Sequence, residues 1–210
     1  MQLTIFGASG RTGGCIVTQA LERGHRVTAF VRDASSLPVR HPQLDVIVGD
    51  VTNAIDVKRV VNGQDVVLLA LGAKLNSHEH VRTQATVNIV PAMQEFGVKR
   101  LINVSGIGTS ESRSNLGRIG IAIANGLRAL DRDAFEDKET QDSLIRNSDL
   151  EWINVCPPRL TQGPRTGVYR AGVDLRPSPL SRISRADVAD FMLRQLTDTA
   201  FIRKAVRILH

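Results

Sequence analysis

Short runs of apolar and β-branched residues alternate along the first two-thirds of the chain with segments whose apolar positions recur at helical spacing. The apolar runs are almost continuously hydrophobic, as in Val-Val-Leu-Leu-Ala at 66–70, which is typical of parallel strands covered on both faces. The pattern predicts strands at 2–6, 26–31, 45–48, 66–70, 100–104 and 151–155, and helices at 12–23, 54–62, about 81–96, within 117–130, 134–147 and 185–197.

This alternation predicts an α/β fold: a single Rossmann-like domain over residues 1–210, with a doubly wound parallel sheet and helices on both faces. After about Val155, prolines and arginines replace the alternation. Residues 156–184 are therefore predicted to form an irregular segment beyond the carboxyl ends of the last strands. Ligands bind at that edge of open α/β sheets, so the segment is expected on the substrate side.

Composition narrows the choice of partners and location. The chain carries a net charge of +6, but both halves share the excess, and aromatic residues make up only 4%, too few for a base-stacking platform. No nucleic-acid partner is expected. No apolar run approaches the roughly 20 residues of a membrane span, and no signal peptide is visible. Cys15 and Cys156 stand alone and are expected to be buried thiols, which favours a cytoplasmic protein.

A glycine-rich sequence, Gly-Ala-Ser-Gly-Arg-Thr-Gly at 7–13, lies between the first predicted strand and the first predicted helix. Gly7 permits a tight turn, Gly10 lets a phosphate approach the backbone, and Gly13 lets the helix pack closely on the strand. Free amides at the helix N-terminus then bind pyrophosphate. Because the motif ends the first strand of a repeated βαβ pattern, it predicts a dinucleotide site rather than a bare connection.

The residues after the second and third predicted strands bear on which nucleotide binds. Arg32 follows the second strand, where an arginine accommodates the 2′-phosphate of NADP and an acid binds the ribose of NAD. NADP is therefore favoured, with an ordinary solvated charge as the alternative, and Arg11 is close enough in the glycine turn to assist. Asp50 follows the third strand and either contacts adenine or caps the helix that starts near Asn53.

A series of short motifs runs in a fixed order through most of the chain. They are the glycine turn at 7–13, Val-Thr-Ala-Phe-Val-Arg-Asp at 27–33, Val-Gly-Asp-Val at 48–51, Asn-Gly-Gln-Asp-Val-Val at 62–67, Leu-Gly at 71–72, Cys-Pro-Pro at 156–158, Thr-Gly-Val-Tyr at 166–169 and Arg-Ile-Ser at 182–184. This series resembles the NmrA-like atypical short-chain dehydrogenases, and among them the biliverdin-IXβ reductases, also called NADPH flavin reductases.

The resemblance implies a Rossmann reductase, monomeric or weakly dimeric, that passes hydride from NADPH to a small-molecule acceptor such as a flavin, a tetrapyrrole or a quinone. Lys138 stands where NmrA-like chains often carry a lysine that faces the cofactor, with a solvated lysine as the alternative. The cofactor site implied by the resemblance further comprises Gly7, Ser9, Gly10, Arg11, Thr12, Gly13, Arg32, Asp50, Val51, Leu71, Gly72, Pro157 and Pro158.

The chain departs from that family at three places. Ser105 is the one hydroxyl left where relatives have a Ser/Thr-Ser pair after the fifth strand, Arg159 replaces a histidine, and residues 109–137 form a longer, unlike segment. Ser105 is the candidate catalytic residue and cofactor contact at the nicotinamide, or else a serine that satisfies the strand end. The departures leave the identity of the acceptor open.

Ordinary short-chain dehydrogenases protonate the substrate with a tyrosine whose pKa is lowered by a lysine four residues later. The only tyrosine here, Tyr169, is followed at that position by Val173, so the usual alcohol–ketone chemistry is not expected. Hydride transfer to a conjugated acceptor demands less, because charge delocalises over the acceptor and water supplies the proton. Stacking and orientation would then supply most of the catalysis.

Arginines are concentrated between the last predicted strand and the last predicted helix. The segment contains one acid, Asp174, and these basic residues: Arg159, Arg165, Arg170, Arg176, Arg182 and Arg185. Because arginine holds oxyanions through paired hydrogen bonds, Arg159 and Arg165 are predicted substrate contacts together with Tyr169. A solvated loop is the alternative.

Two function classes remain. The first is an NADPH-dependent reductase of a planar conjugated acceptor, and the second is a regulatory NADP-binding protein that catalyses nothing. The motifs at 157–158 and 166–169 favour the reductase. No metal is predicted, because His78 and His80 lack a third ligand.

Overall fold

The structure, a computed structural model, describes residues 1–72, 80–109 and 116–210. Strands and helices alternate as the hydrophobic pattern predicts as far as residue 156. The elements are β1 (Gln2–Phe6), α1 (Arg11–Glu22), β2 (Arg26–Val31), β3 (Leu44–Val48), α2 (Ala54–Val61), β4 (Val66–Leu69), α3 (Val81–Glu95), β5 (Arg100–Val104), α4 (Arg118–Leu130), α5 (Arg132–Arg146) and β6 (Glu151–Cys156).

Seven parallel strands and one antiparallel strand form a single sheet. The order is β3-β2-β1-β4-β5-β6, followed by β10 (Lys204–Leu209) and the antiparallel edge strand β8 (Arg170–Gly172). The direction of strand addition reverses between β1 and β4, where Phe6 is paired with Phe30 on one side and Leu69 on the other. This reversal is the topological switch point of a doubly wound sheet, so the predicted Rossmann-like fold is confirmed.

The chain after β6 is more regular than the pattern predicts. β7 (Arg159–Thr161) pairs with β9 (Arg182–Ser184) in a separate two-stranded sheet, and α6 (Arg185–Arg194) then packs along α1. The segment predicted to be irregular at 156–184 thus contains three short strands, and the pattern does not predict β10. These strands form because distant segments supply their partners, as in the pairing of Val206 with Val155.

The sheet is buried on both faces because side chains of successive strand residues point to opposite sides. Ile5 and Leu68 pack towards α1 and α6, whereas Phe6 and Leu69 pack towards α2, α3 and α5. Trp152, 3% exposed, belongs to the second of these two core layers. Within the described ranges, none of the helices is both long and apolar enough to cross a membrane.

Candidate cofactor and acceptor site

The parallel strands end at one edge of the sheet, and the predicted cofactor residues follow these ends. Because carboxyl ends of parallel strands meet at the same edge, the fold brings together residues far apart in sequence. In sheet order from β3 to β6 they are Asp50 with Val51, Arg32, the glycine turn, Leu71 with Gly72, Ser105, and Pro157 with Pro158.

The glycine turn lies too close to neighbouring backbone for side chains. Gly7 has a φ of +78°, and a Cβ at this residue would lie 2.5 Å from the carbonyl oxygen of Ala70. A Cβ on Gly13 would lie 2.0 Å from the carbonyl oxygen of Gly7, because the first turn of α1 packs directly on the loop. Both positions therefore require glycine, and the cradle fits a group held by backbone alone.

α1 begins directly after this turn without a side-chain cap. Gly10 is the N-cap residue, and it offers no side chain to the amides of the first turn. Ser9, Gly10 and Arg11 are exposed, while Thr12 is half-buried. Uncapped amides at an exposed helix N-terminus bind anions, so the turn fits the pyrophosphate of a dinucleotide.

Arg32 is exposed directly after β2, at the position that contacts the adenosine ribose in this fold. The neighbouring carboxylate, that of Asp33, accepts hydrogen bonds from the hydroxyl of Ser35 at 2.6 Å and from its amide at 2.9 Å. These bonds lower the pKa of Asp33. Because Asp33 is engaged with Ser35, the end of β2 offers a cation to the ribose rather than an acid.

Asp50 closes a local turn after β3. Its carboxylate accepts from the amide of Thr52 at 2.9 Å and from the Thr52 hydroxyl at 2.8 Å, and these bonds, helped by the charge of Arg32, lower the pKa of Asp50. The helix α2 is capped by Asn53, so the alternative in which Asp50 caps it is wrong. Val51 is 7% exposed, which leaves its backbone rather than its side chain at the edge.

A buried arginine that the sequence pattern does not single out connects the end of β4 to α5. Arg82 is 8% exposed and donates to the carbonyl oxygens of Leu71 at 3.1 Å and Ala134 at 3.3 Å. Asp137, on α5, accepts from the amides of Arg82 at 3.1 Å and Thr83 at 2.8 Å. These bonds hold α5 beside the cofactor edge.

Ser105 follows β5 within a buried cluster of polar side chains. Its Oγ donates to Oδ2 of Asp142 at 2.5 Å, Thr109 Oγ1 lies 2.8 Å from the same oxygen, and Asn103 Nδ2 lies 3.3 Å from Oδ1. Ser105 is 3% exposed, and its single hydroxyl hydrogen is directed at Asp142. The geometry therefore favours the alternative in which Ser105 satisfies the strand end, and it does not support Ser105 as the catalytic contact.

Lys138 lies one helical turn before Asp142, and its side chain extends over the end of β5. A Cβ on Gly106 would lie 3.0 Å from Lys138 Nζ. In the part of the chain that the structure describes, this ammonium group has no hydrogen bond or ion pair. Burial and then the charge of Arg82 lower the pKa of Lys138, whereas Asp142 opposes that change. Lys138 is thus a partly buried cation at the cofactor edge rather than a solvated lysine.

A cavity of about 200 Å³ opens beside Lys138. Its lining includes both polar and apolar side chains, which suits a conjugated ring with polar substituents. A larger and more open groove of about 1070 Å³ is lined by residues between 34 and 46, which follow Arg32 and lead into β3. The smaller cavity, which lies beside the sheet edge, is lined by Arg82, Ile107, Thr109, Asp131, Ala134, Phe135 and Lys138.

The chain crosses the same edge after β6 through Pro157, which is buried, and Pro158, which is half-buried. Arg159 follows as an exposed residue at the start of β7. Burial raises the pKa of the preceding thiol, Cys156, to about 12, so it is protonated and inert. Cys15 is also a free thiol, but it is only half-buried, contrary to expectation.

Arg165 and Tyr169, the predicted substrate contacts, have their side chains engaged with α1 and α6. Arg165 Nη1 lies 3.5 Å from Glu22 Oε2, and the Tyr169 hydroxyl donates at 2.7 Å to Asp190, which pairs with Arg23 at 2.6 Å. Glu22 and Arg23 lie at the end of α1 opposite the glycine turn, and a 12-residue helix is about 18 Å long. The Arg165 guanidinium and the Tyr169 hydroxyl are therefore directed at the end of α1 opposite the glycine turn.

A buried carboxylate on α6 causes this arrangement. Asp187 accepts from the amides of Thr166 and Gly167, each at 2.8 Å, from the Thr166 hydroxyl at 3.0 Å and from the Ser184 hydroxyl at 2.8 Å. These bonds draw residues 164–169 onto α6. Arg170 begins β8 opposite Leu209, the last residue of β10, two strands beyond β6.

The remaining sequence predictions concern histidines and the segment 109–137. His78 lies outside the described residues, as do 110–115 of the segment, and His80 is exposed just before α3. Over residues 1–72, 80–109 and 116–210, no three His, Cys, Asp or Glu side chains form a group that could hold a metal ion.

The NAD(P)H-binding family matches residues 7–199, from the glycine turn to beyond α6. The chain belongs to this family, so its cofactor is NAD(P)H and the predicted dinucleotide class is confirmed. The uncharacterized protein YwnB of Bacillus subtilis is 29% identical over 212 residues, which cover 93% of this chain and 92% of YwnB. A 3-beta-hydroxysteroid dehydrogenase of Mycolicibacterium neoaurum is 36% identical over 113 residues, but this chain spans only 31% of its length.

Solved structures show the same fold at low sequence identity. A short-chain dehydrogenase/reductase of Veillonella parvula, solved in complex with NADP, has a TM-score of 0.80 at 20% identity, covering 99% of this chain and 93% of that chain. ChuY of Escherichia coli O157:H7, described as an anaerobillin reductase, has a TM-score of 0.81 at 20% identity, covering 99% and 96%.

Proposed function

We propose that this protein is an NADPH-dependent oxidoreductase that transfers hydride to a planar conjugated acceptor such as a flavin, a tetrapyrrole or a quinone. The observation that carries the proposal is Lys138, a partly buried ammonium group over the end of β5, beside a cavity of about 200 Å³. A cation at this place stabilises the negative charge that the acceptor gains with the hydride. The bound nicotinamide supplies that hydride.

The end of β2 supports NADPH over NADH. Arg32 is exposed there, and the Asp33 carboxylate is engaged with Ser35. Arg11, also exposed, lies in the glycine turn between β1 and α1. Two cations near the adenosine ribose favour a 2′-phosphate.

Replacing Arg32 by Glu tests this preference. The change removes one partner of the 2′-phosphate and adds repulsion, so we expect NADPH binding to weaken by about 2–4 kcal/mol while NADH binding changes little. Calorimetric titration of both cofactors measures the effect. Equal affinity of the unmodified protein for NADPH and NADH would contradict the preference.

The acceptor class follows from the proton donors at the edge. Tyr169 donates to Asp190 far from the glycine turn, and Ser105 donates to Asp142, so neither hydroxyl is directed at a substrate. Lys138 is the donor that remains beside the cavity. A conjugated acceptor suits this arrangement because it spreads the incoming charge and takes its proton from water.

Two further observations support an anionic flavin or tetrapyrrole within this class. Lys138 and Arg159 both lie at the edge, and cations there attract phosphate or propionate groups. The motif series resembles NmrA-like chains and biliverdin-IXβ reductases, and ChuY, which shares the fold, is described as an anaerobillin reductase.

The proposal is tested by following the loss of NADPH absorbance with FMN, riboflavin, biliverdin or a simple quinone. We expect reduction of at least one acceptor, and FMN to be better than riboflavin at low salt, with the advantage shrinking as salt is raised. Tight NADPH binding without reduction of any acceptor would favour the regulatory alternative and overturn the proposal.

A further inference from the structure

The inner face of α5 carries two charged residues of opposite sign one turn apart. Residues four positions apart on a helix share a face, and here Lys138 and Asp142 both face the end of β5. Lys138 extends over Gly106, while Asp142 is 4% exposed and lies deeper, against Ser105. The Asp142 carboxylate therefore lies on the interior side of the Lys138 ammonium group.

Side chains from β5 and the loop after it hold the Asp142 carboxylate in place. Ser105 and Thr109 donate to Oδ2, and Asn103 donates to Oδ1. Asn103 is itself fixed through a 2.9 Å bond to Asn154 on β6. Burial raises the pKa of Asp142, and the bonds from Ser105 and Thr109 oppose that increase, so these donors favour the charged form of the carboxylate.

The other charged groups around Lys138 differ from Asp142 in charge or in partner. The carboxylate of Asp131, which lines the same cavity, accepts the amide of Ala134 at the start of α5. Arg82, from α3, carries a charge of the same sign, and the Cys156 thiol on β6 is protonated. Asp137 is occupied by the amides at the start of α3. Arg146, further along α5, is the other cation that acts on Asp142.

We propose that Asp142 is a positioning residue: its buried carboxylate, held by Ser105 and Thr109, keeps Lys138 protonated and directed at the cofactor edge. The assignment rests on the proposed function only for its catalytic meaning, because the charge of Lys138 is a property of the chain without ligands. The assignment also explains why the hydroxyl of Ser105, after β5, donates to Asp142 and is not directed at the cavity.

The test measures the titration of Lys138 directly. Lysines are dimethylated with ¹³C-formaldehyde, their NMR signals are followed from pH 6 to 12, and the Lys138→Arg variant assigns the Lys138 signal. In Asp142→Asn we expect this signal to titrate lower by about one pH unit or more, the size of effect that a nearby opposite charge produces. Glu139→Gln is the matched control, because it removes an acid from the adjacent position of α5 that lies 3.9 Å from Arg128 on α4, and it should leave the signal in place.

Unchanged titration of Lys138 in a folded Asp142→Asn variant would overturn the proposal. If that variant does not fold, Asp142→Ser decides: it also removes the carboxylate, so Lys138 must again titrate lower, and an unchanged signal refutes the assignment. The titration needs neither NADPH nor acceptor, which separates its failure from failure of the proposed function. With an active acceptor, the alkaline limb of kcat should move by the same amount in Asp142→Asn, and this movement should vanish in a Lys138→Arg background.

Discussion

Two buried carboxylates of this protein have opposite surroundings. Asp187, on α6, is 0% exposed and accepts two backbone amides and two hydroxyls, with the ring of His210 at 3.2 Å. Asp142, on α5, is 4% exposed and accepts two hydroxyls and one side-chain amide, with the ammonium group of Lys138 nearby. The two carboxylates are similarly buried but have different kinds of donor.

The hydrogen-bond donors determine whether the pKa of each carboxyl group is raised or lowered. Burial alone would raise the pKa of Asp187, but the bonds from Gly167, Ser184 and Thr166 outweigh burial and lower it. Burial raises the pKa of Asp142, and its bonds and the charge of Lys138 only oppose that increase. Backbone amides are fixed by the fold and always donate, whereas hydroxyls can turn. Asp187 therefore stabilises the fold, while Asp142 holds its charge at some expense of stability beside the cavity.

The largest effect is expected from Asp187→Ala. Removing this acceptor leaves buried amides and hydroxyls without a partner, so the free energy of unfolding should fall by about 3 kcal/mol or more. Urea denaturation measures this loss, with the exposed Asp45→Ala as control. NADPH affinity of the folded variant should be nearly unchanged. A loss below about 1 kcal/mol would show that the Asp187 cluster is not the structural one.

The Lys138→Met variant should lower activity without lowering stability, unlike Asp187→Ala. It removes the cation beside the cavity while keeping most of the length of the side chain, so we expect kcat to fall by about 100-fold. The free energy of unfolding should stay the same or increase, because burial disfavours the charged form of Lys138. Steady-state kinetics and urea denaturation give both numbers. Full activity in Lys138→Met would remove the basis for a catalytic edge at α5.

The stability of the two Asn variants should depend on pH in opposite ways. The lowered pKa of Asp187 contributes stability above the unfolded value of about 3.9, and this contribution disappears as pH falls through the folded pKa. Asp142 behaves in the opposite way, because its folded pKa is raised. Its contribution to stability is present below the unfolded pKa of about 3.9 and disappears as pH rises through the folded pKa. Between pH 4 and 7, Asp142→Asn should therefore gain stability relative to the unmodified chain. Asp187→Asn should instead flatten the acid limb below pH 4. Urea denaturation at several pH values measures the direction of each change in stability. A change in the same direction for both variants would contradict the different roles of the two carboxylates.

The smallest effect is expected from Ser105→Ala. Its hydroxyl supports Asp142 but is not directed at the cavity, so kcat should fall less than about tenfold, below the range for loss of a general acid. Thr109→Val is a matched variant, because it removes the second donor to the same oxygen. A 10⁴-fold loss in Ser105→Ala would restore Ser105 as the catalytic residue and contradict its placement.

Local signals predicted the parts of the site that local backbone geometry forms. The glycines at 7, 10 and 13 are required by a close approach within a few residues, so they are recognisable without a structure. Arg32 is also recognisable without a structure, because it directly follows the apolar run that forms β2. Lys138 was placed only through a family resemblance, because nothing in its sequence neighbourhood distinguishes it from a solvated lysine.

The sequence by itself determined the alternation of strands and helices, the glycine turn and the class of cofactor, because hydrophobic period and glycine conformation are local properties. Only the tertiary structure decided which side chains meet. Asp142 reaches Ser105 across 37 residues of chain, and Arg165 and Tyr169 are drawn onto α6 by Asp187. β10 likewise forms because β6 offers it a free edge. Such contacts depend on the packing of distant elements, and the energy that selects them lies in buried hydrogen bonds that a linear pattern does not contain.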